Sequence, residues 1–101
     1  MATLKLTLSK KPFEVMLTRE KCVEFRKMSP WMKSRLFDKQ NKPKSYDYVE
    51  FTNGYGKTKP KFICKFITCK VIDKVEVSYS NGLTISIQEP TYCIFLGAMK
   101  E

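Results

Sequence analysis

The chain has 101 residues, 43% hydrophobic and 13% aromatic, with 19 Lys and Arg against 10 Asp and Glu, no His, and a formal net charge of +9. This composition supports one folded domain, residues 1–101, with a modest core, and argues against disorder. It excludes a helical membrane span, because no run approaches the roughly 18 apolar residues required, and it removes the commonest general base and every His-dependent nucleophile triad.

Leu4, Leu6 and Leu8 alternate with Lys5 and Thr7, which reads as a short strand with one buried face. Ser9 can cap a helix whose first turn tolerates Pro12, and Phe13, Met16 and Leu17 give that helix an apolar face. It should end near Thr18-Arg19. The next stretch, through Lys27, reads as a strand with Val23 and Phe25 on a core face and Cys22, Glu24 and Arg26 on the other. Lys21 precedes it and can reach over the same polar surface. Lys21, Glu24 and Arg26 are therefore either a solvated charged face or a polar site on a rigid support.

Ser29 before Pro30 is a helix-start signal, and a helix from Pro30 to about Phe37 places Trp31 and Arg35 four apart on one side. A lone Trp usually ends in a core; beside Arg35 and Lys27 it could instead be a stacking platform for a base. Residues 38–45 read as a mobile basic loop, and Tyr46 to Phe51 as a strand. Asn53-Gly54-Tyr55-Gly56 is a tight connection that exposes Tyr55 near Lys57 and Lys59, either as an ordinary hairpin or as a loop laid against a ligand.

The tract from Lys61 to Val77 is too long for one flat strand, so a bend near Cys69-Lys70 or a turn near Asp73-Lys74 is expected. Leu83, Ile85 and Ile87 alternate as a further strand, Glu89-Pro90 interrupts, and Tyr92 to Leu96 reads as a buried strand ending at Gly97. The order of elements predicts an α+β fold: a small mixed β-barrel of about five or six strands, closed or nearly so, with two short helices packed at its ends.

The charge is uneven. Residues 1–61 hold 15 basic and 6 acidic side chains, whereas residues 62–101 hold 4 of each. Such asymmetry points to a polyanionic partner, nucleic acid being the commonest. The four cysteines form no Cys-x-x-Cys pair, so reduced, partly buried thiols are expected and zinc is not. Cys64 and Cys69 differ by an odd number and face opposite ways unless a bulge or bend intervenes. No signal-peptide segment is evident, so a cytoplasmic protein is the default expectation.

The order of a first strand, a Pro-Phe-containing helix and then Lys21-Cys22-Val23-Glu24-Phe25-Arg26 resembles the ASCH domain, a member of the PUA-like superfamily. The hallmark of that family is Gly-x-Lys-x-x-Glu-x-Arg leading into the second strand. Lys21, Glu24 and Arg26 fit its Lys, Glu and Arg places, and Arg19 stands where the family usually has Gly. The likeness extends in coarse order across most of the chain, but only the central motif is specific. It implies a small PUA-like barrel with a cleft beside the motif and an RNA-related role. Some similar members hydrolyse an amide on a modified nucleoside with a catalytic Lys; that branch has Thr in the place of Glu24 and a second acid later, for which Glu76 and Glu89 are both candidates. Other members are linked to RNA cleavage.

Two functions follow as expectations. In a binding module for RNA, other nucleic acid, or a nucleoside or nucleotide, Lys21, Arg26, Lys27, Arg35, Lys57 and Lys59 contact phosphates. Trp31 and Tyr55 then stack on bases, and Glu24 orients Arg26 or accepts from a base edge. In a small hydrolase, Glu24 acts as general acid or base and Lys21 as an activated amine or charge stabiliser. A protein-binding adaptor for an acidic partner is a third reading. No cofactor, metal or membrane partner is expected, and the chain is expected to be a monomer.

Overall fold

A computed structural model describes residues 2–54 and 59–100. Seven strands and two helices run in the order β1 (Thr3–Leu8), α1 (Lys10–Leu17), β2 (Val23–Lys27), α2 (Pro30–Leu36), β3 (Tyr48–Asn53), β4 (Lys61–Ile72), β5 (Val75–Ser78), β6 (Thr84–Ile87) and β7 (Thr91–Met99). The period-two pattern of β1 buries Leu4, Leu6 and Leu8. β1 lies parallel to β3 in full register, Thr3 opposite Tyr48 through Leu8 opposite Asn53. A parallel pair needs a long crossover, and α1, β2 and α2 supply it. The other neighbours are antiparallel, giving a five-stranded sheet in the order β1-β3-β4-β7-β2.

That sheet curls into half a barrel. The expected closure is not made by strand pairing: β1 and β2 are its two edges. β5 and β6 form a separate two-stranded hairpin. The long tract turns at Asp73-Lys74, and its irregularities fall around Phe66, with register shifts on either side of it, rather than at Cys69-Lys70. These shifts change the parity of β4, so Cys64 and Cys69 are both buried although a regular strand would separate them.

The core is one cluster beneath the curl, with Leu4, Leu6 and Leu8 against Phe13 and Met16 of α1, Val49 and Phe51 of β3, and Ile94 and Leu96 of β7. Phe62 stands between Phe51 and Phe13, with ring centroids 5.2 and 5.1 Å away. α1 buries Phe13, Val15 and Met16; Leu17, expected on its apolar face, is exposed. Ser9 holds the N-cap position without a side-chain cap bond, whereas Ser29 caps α2 by accepting from the Met32 N–H at 3.1 Å, with Pro30 next to it.

The loop of residues 38–44 is tied by hydrogen bonds. Asp38 Oδ1 accepts from the Gln40 and Lys42 amides, Phe37 bridges to Pro43, and the Lys44 amide donates to Leu36 O. The β5–β6 hairpin is tied at its tip: Glu20 accepts from the Ser80 N–H and hydroxyl, and Asn81 Nδ2 donates to Lys11 O at 2.9 Å. Those hydrogen bonds hold the Glu20 carboxyl below its usual range. They also set the hairpin opposite α2 across the edge of the sheet, where both line one cleft.

Candidate functional site

β2 carries the site with its faces reversed from the expected arrangement. Glu24 is buried and Val23 and Phe25 are only half-buried, so the charged face points inward. Lys21, in the turn before the strand, is 1% exposed. Burying such groups is costly unless each is paired and hydrogen-bonded. Here each is. Lys21 Nζ donates to Val23 O at 2.5 Å and to Glu24 Oε1 at 2.9 Å, and lies 5.6 Å from the centre of the Phe25 ring. Glu24 Oε2 accepts from Arg26 Nε at 2.9 Å, and Arg26 Nη2 donates to Thr7 O at 2.7 Å. No buried side-chain nitrogen or oxygen among the described residues lacks a partner. The result is a fixed Lys–Glu–Arg array with one positive charge in excess.

The turn that aims Lys21 is shaped by Arg19, whose φ of 70° lies in the left-handed region usually filled by Gly after a helix. Its amide donates to Met16 O, the Lys21 amide to Val15 O, and its guanidinium to Gly97 O at 2.8 Å.

The array forms the floor of a cleft of about 570 Å³, within the range of small-molecule sites. Its walls come from three elements. Pro12 of α1 stands on one side, Trp31 and Met32 of α2 on another, and Leu83, Ile85 and Ile87 of the hairpin on the third. Lys27, Thr7, Ser9 and Ser29 add polar groups to the lining. Trp31 is not core: it is 54% exposed, and the Arg35 guanidinium lies over its ring at 4.9 Å from the centroid.

Of the residues singled out from sequence, Lys21, Glu24, Arg26, Lys27 and Trp31 meet in this cleft. Arg35 is joined to it through Trp31. Lys59 is exposed in the β3–β4 connection and does not line it. Tyr55 and Lys57 lie outside the described residues. The sequence reading missed Thr7 and the hairpin wall. The alternation of Leu83, Ile85 and Ile87 was visible, but nothing local said that this half-buried face borders the charged array. Burial raises the thiols of Cys64 and Cys69 to about 11 and also raises that of Cys93, which senses Lys21 and Glu24. Among the described residues no three His, Cys, Asp or Glu side chains gather as metal ligands, and no helix is long and apolar enough to cross a membrane.

The chain matches no family model, no curated protein and no solved structure. Its functional reading therefore rests on this geometry.

Proposed function

We propose that the chain is an RNA- or nucleotide-binding module of the PUA-like kind, which takes a planar base and its phosphate in the cleft above Lys21, Glu24 and Arg26. The observation that carries this reading is a Lys–Glu–Arg array, paired through Glu24, at the floor of an apolar-walled cleft, with a half-exposed Trp at its side. Apolar walls suit a base, and the array presents the part-exposed Arg26 guanidinium, held in place by Glu24, for polar recognition. The basic excess of residues 1–61 supports a polyanionic ligand. The left-handed Arg19 supports the ASCH resemblance, because it occupies the motif's Gly place in a conformation that favours Gly.

Binding of labelled single-stranded RNA, titrated at several salt concentrations, tests the reading. Log affinity should fall with log salt by roughly 0.7 per phosphate contacted. Arg26→Ala should weaken binding at least tenfold, and Lys65→Ala, on the exposed side of β4, should leave it unchanged. Equal effects of the two variants would reduce the site to a diffuse basic surface, and no binding at low salt would refute the reading.

The direct contact of Lys21 with Glu24 inside a cleft favours a second reading, a hydrolase acting on an amide of a modified nucleoside. It requires Nζ to give up its bonds to Val23 O and Glu24. Turnover of N-acylated nucleosides that Lys21→Met abolishes, with nucleoside binding retained, would select it.

A further inference from the structure

Trp31 lines two hollows. One is the cleft described above. The other, of about 280 Å³, is bordered by Thr3, Leu4, Lys5, Trp31, Arg35 and Tyr46. The second hollow is separate from the Lys–Glu–Arg array but is similarly equipped. It has an exposed cation in Lys5, an aromatic ring in Tyr46, and the guanidinium of Arg35 laid over the indole. None of its lining residues is acidic. Tyr46 is held there by its hydroxyl, which donates to the main-chain carbonyl of Arg35, so its ring is tied to α2. Ser29 and Pro30 start α2 immediately before Trp31, so the indole stands on the first turn of a capped helix and not on a loop.

We propose that the second hollow is a second base site, and that the ligand is a single-stranded polynucleotide whose consecutive bases are parted by Trp31. The inference rests on the nucleotide-binding reading of the main cleft and extends it from one nucleotide to at least two. A base in the second hollow stacks on the Arg35 plane, which the indole backs. The base in the main cleft meets the indole from the other side. Guanidinium planes and aromatic rings both serve as stacking surfaces for unpaired bases. Lys5 on one side and Lys27 on the other flank the connecting phosphates. A free mononucleotide fills only one of the two hollows.

The experiment compares the four nucleoside 5′-monophosphates, an octanucleotide of randomised sequence and an abasic octanucleotide of equal charge, by fluorescence of Trp31 and by calorimetry. The octanucleotide should bind more tightly than any mononucleotide by roughly 5- to 100-fold, the worth of one further stacked base. Trp31→Ala should abolish that advantage and Trp31→Phe should keep part of it. Lys5→Gln should reduce it while leaving mononucleotide affinity unchanged. Trp31 and Lys5 are both exposed, so these variants should fold. Mononucleotides that bind as tightly as the octanucleotide would overturn the second site and leave the first. So would an advantage that persists on the abasic strand or in Trp31→Ala, since it would then come from charge alone. If none of the three probes binds, both are overturned.

Discussion

Arg26 on one edge of the sheet donates from Nη2 to the carbonyl of Thr7 on the other edge, at 2.7 Å. The backbone does not close this seam, and one side chain spans it. The same guanidinium holds Glu24 through Nε, so the bridge and the cleft floor are one structure. Its side chain is 24% exposed, which lets a ligand reach it.

Arg26→Ala therefore removes a seam contact and a partner of a buried carboxylate together. A hydrogen bond to a charged group contributes about 1.5–3 kcal/mol, and a loss of that order is expected in urea unfolding. Arg26→Lys keeps the charge but cannot span both acceptors with a planar fork, so it should recover only part. Full recovery by Lys would show that charge alone matters at this position.

Lys21 and Glu24 should be strongly coupled. Removing the amine in Lys21→Met leaves a buried carboxylate with Arg26 alone, and breaking a buried pair costs about 3–5 kcal/mol. In Lys21→Met/Glu24→Gln the uncompensated charge is gone. The double variant should then be more stable than the sum of the single changes implies, by at least about 1.5 kcal/mol in a double-mutant cycle. Additive effects would mean that the 2.9 Å contact contributes nothing of its own.

Several of these features were legible beforehand. The alternation of Leu4, Leu6 and Leu8, the Ser29-Pro30 helix start and the alternating Ile85 and Ile87 of β6 all formed as local pattern predicts. β2 was placed correctly, but its faces were inverted. Polarity read along a strand says that Glu24 and Arg26 face water. Only the arrival of Lys21 from the preceding turn and of Thr7 from another strand makes their burial tolerable, and neither is a neighbour on β2 itself. The odd spacing of Cys64 and Cys69 separates them unless a bulge or bend intervenes; the register shifts around Phe66 are that irregularity, and regular spacing cannot place it. Trp31 is left exposed because Met32 and Leu36 fill the core side of α2.

The thiols should give a pH signature. Burial raises Cys64 and Cys69 to about 11 from an ordinary 9.0. Between those values the folded chain holds protons that the unfolded chain has released. Stability from this source is thus complete below pH 9 and is lost as pH rises towards 11. Urea midpoints should fall across that window, and the slope should diminish in Cys64→Ala/Cys69→Ala whatever its stability at neutral pH. At pH 8 a thiol-reactive disulfide should modify half-buried Cys22 first, with Cys64, Cys69 and Cys93 waiting on unfolding.

Arg19 supplies the last test. A side chain held at a φ of 70° carries strain of about 1 kcal/mol relative to Gly. Its guanidinium bond to Gly97 O offsets part of this, at about 0.5–1 kcal/mol. Arg19→Gly relieves the strain and forfeits the bond, and it also loosens the unfolded chain, so it should lie within about 1 kcal/mol of the parent. Arg19→Ala keeps the strain without the bond, and its stiffer unfolded chain offsets part of that, so it should be the less stable of the two by about 0.5 kcal/mol. A β-branched residue should be worse again. Arg19→Val forces the turn towards negative φ, and the Lys21 amide bonded to Val15 O moves with it. That displacement would carry Nζ away from Glu24. Arg19→Val should therefore lose nucleotide affinity as well as stability, whereas Arg19→Gly should keep its affinity. Urea unfolding and RNA titration of the three variants measure both quantities, and an Ala variant more stable than the Gly variant would show that the left-handed turn costs less than the unfolded-chain entropy that Gly adds.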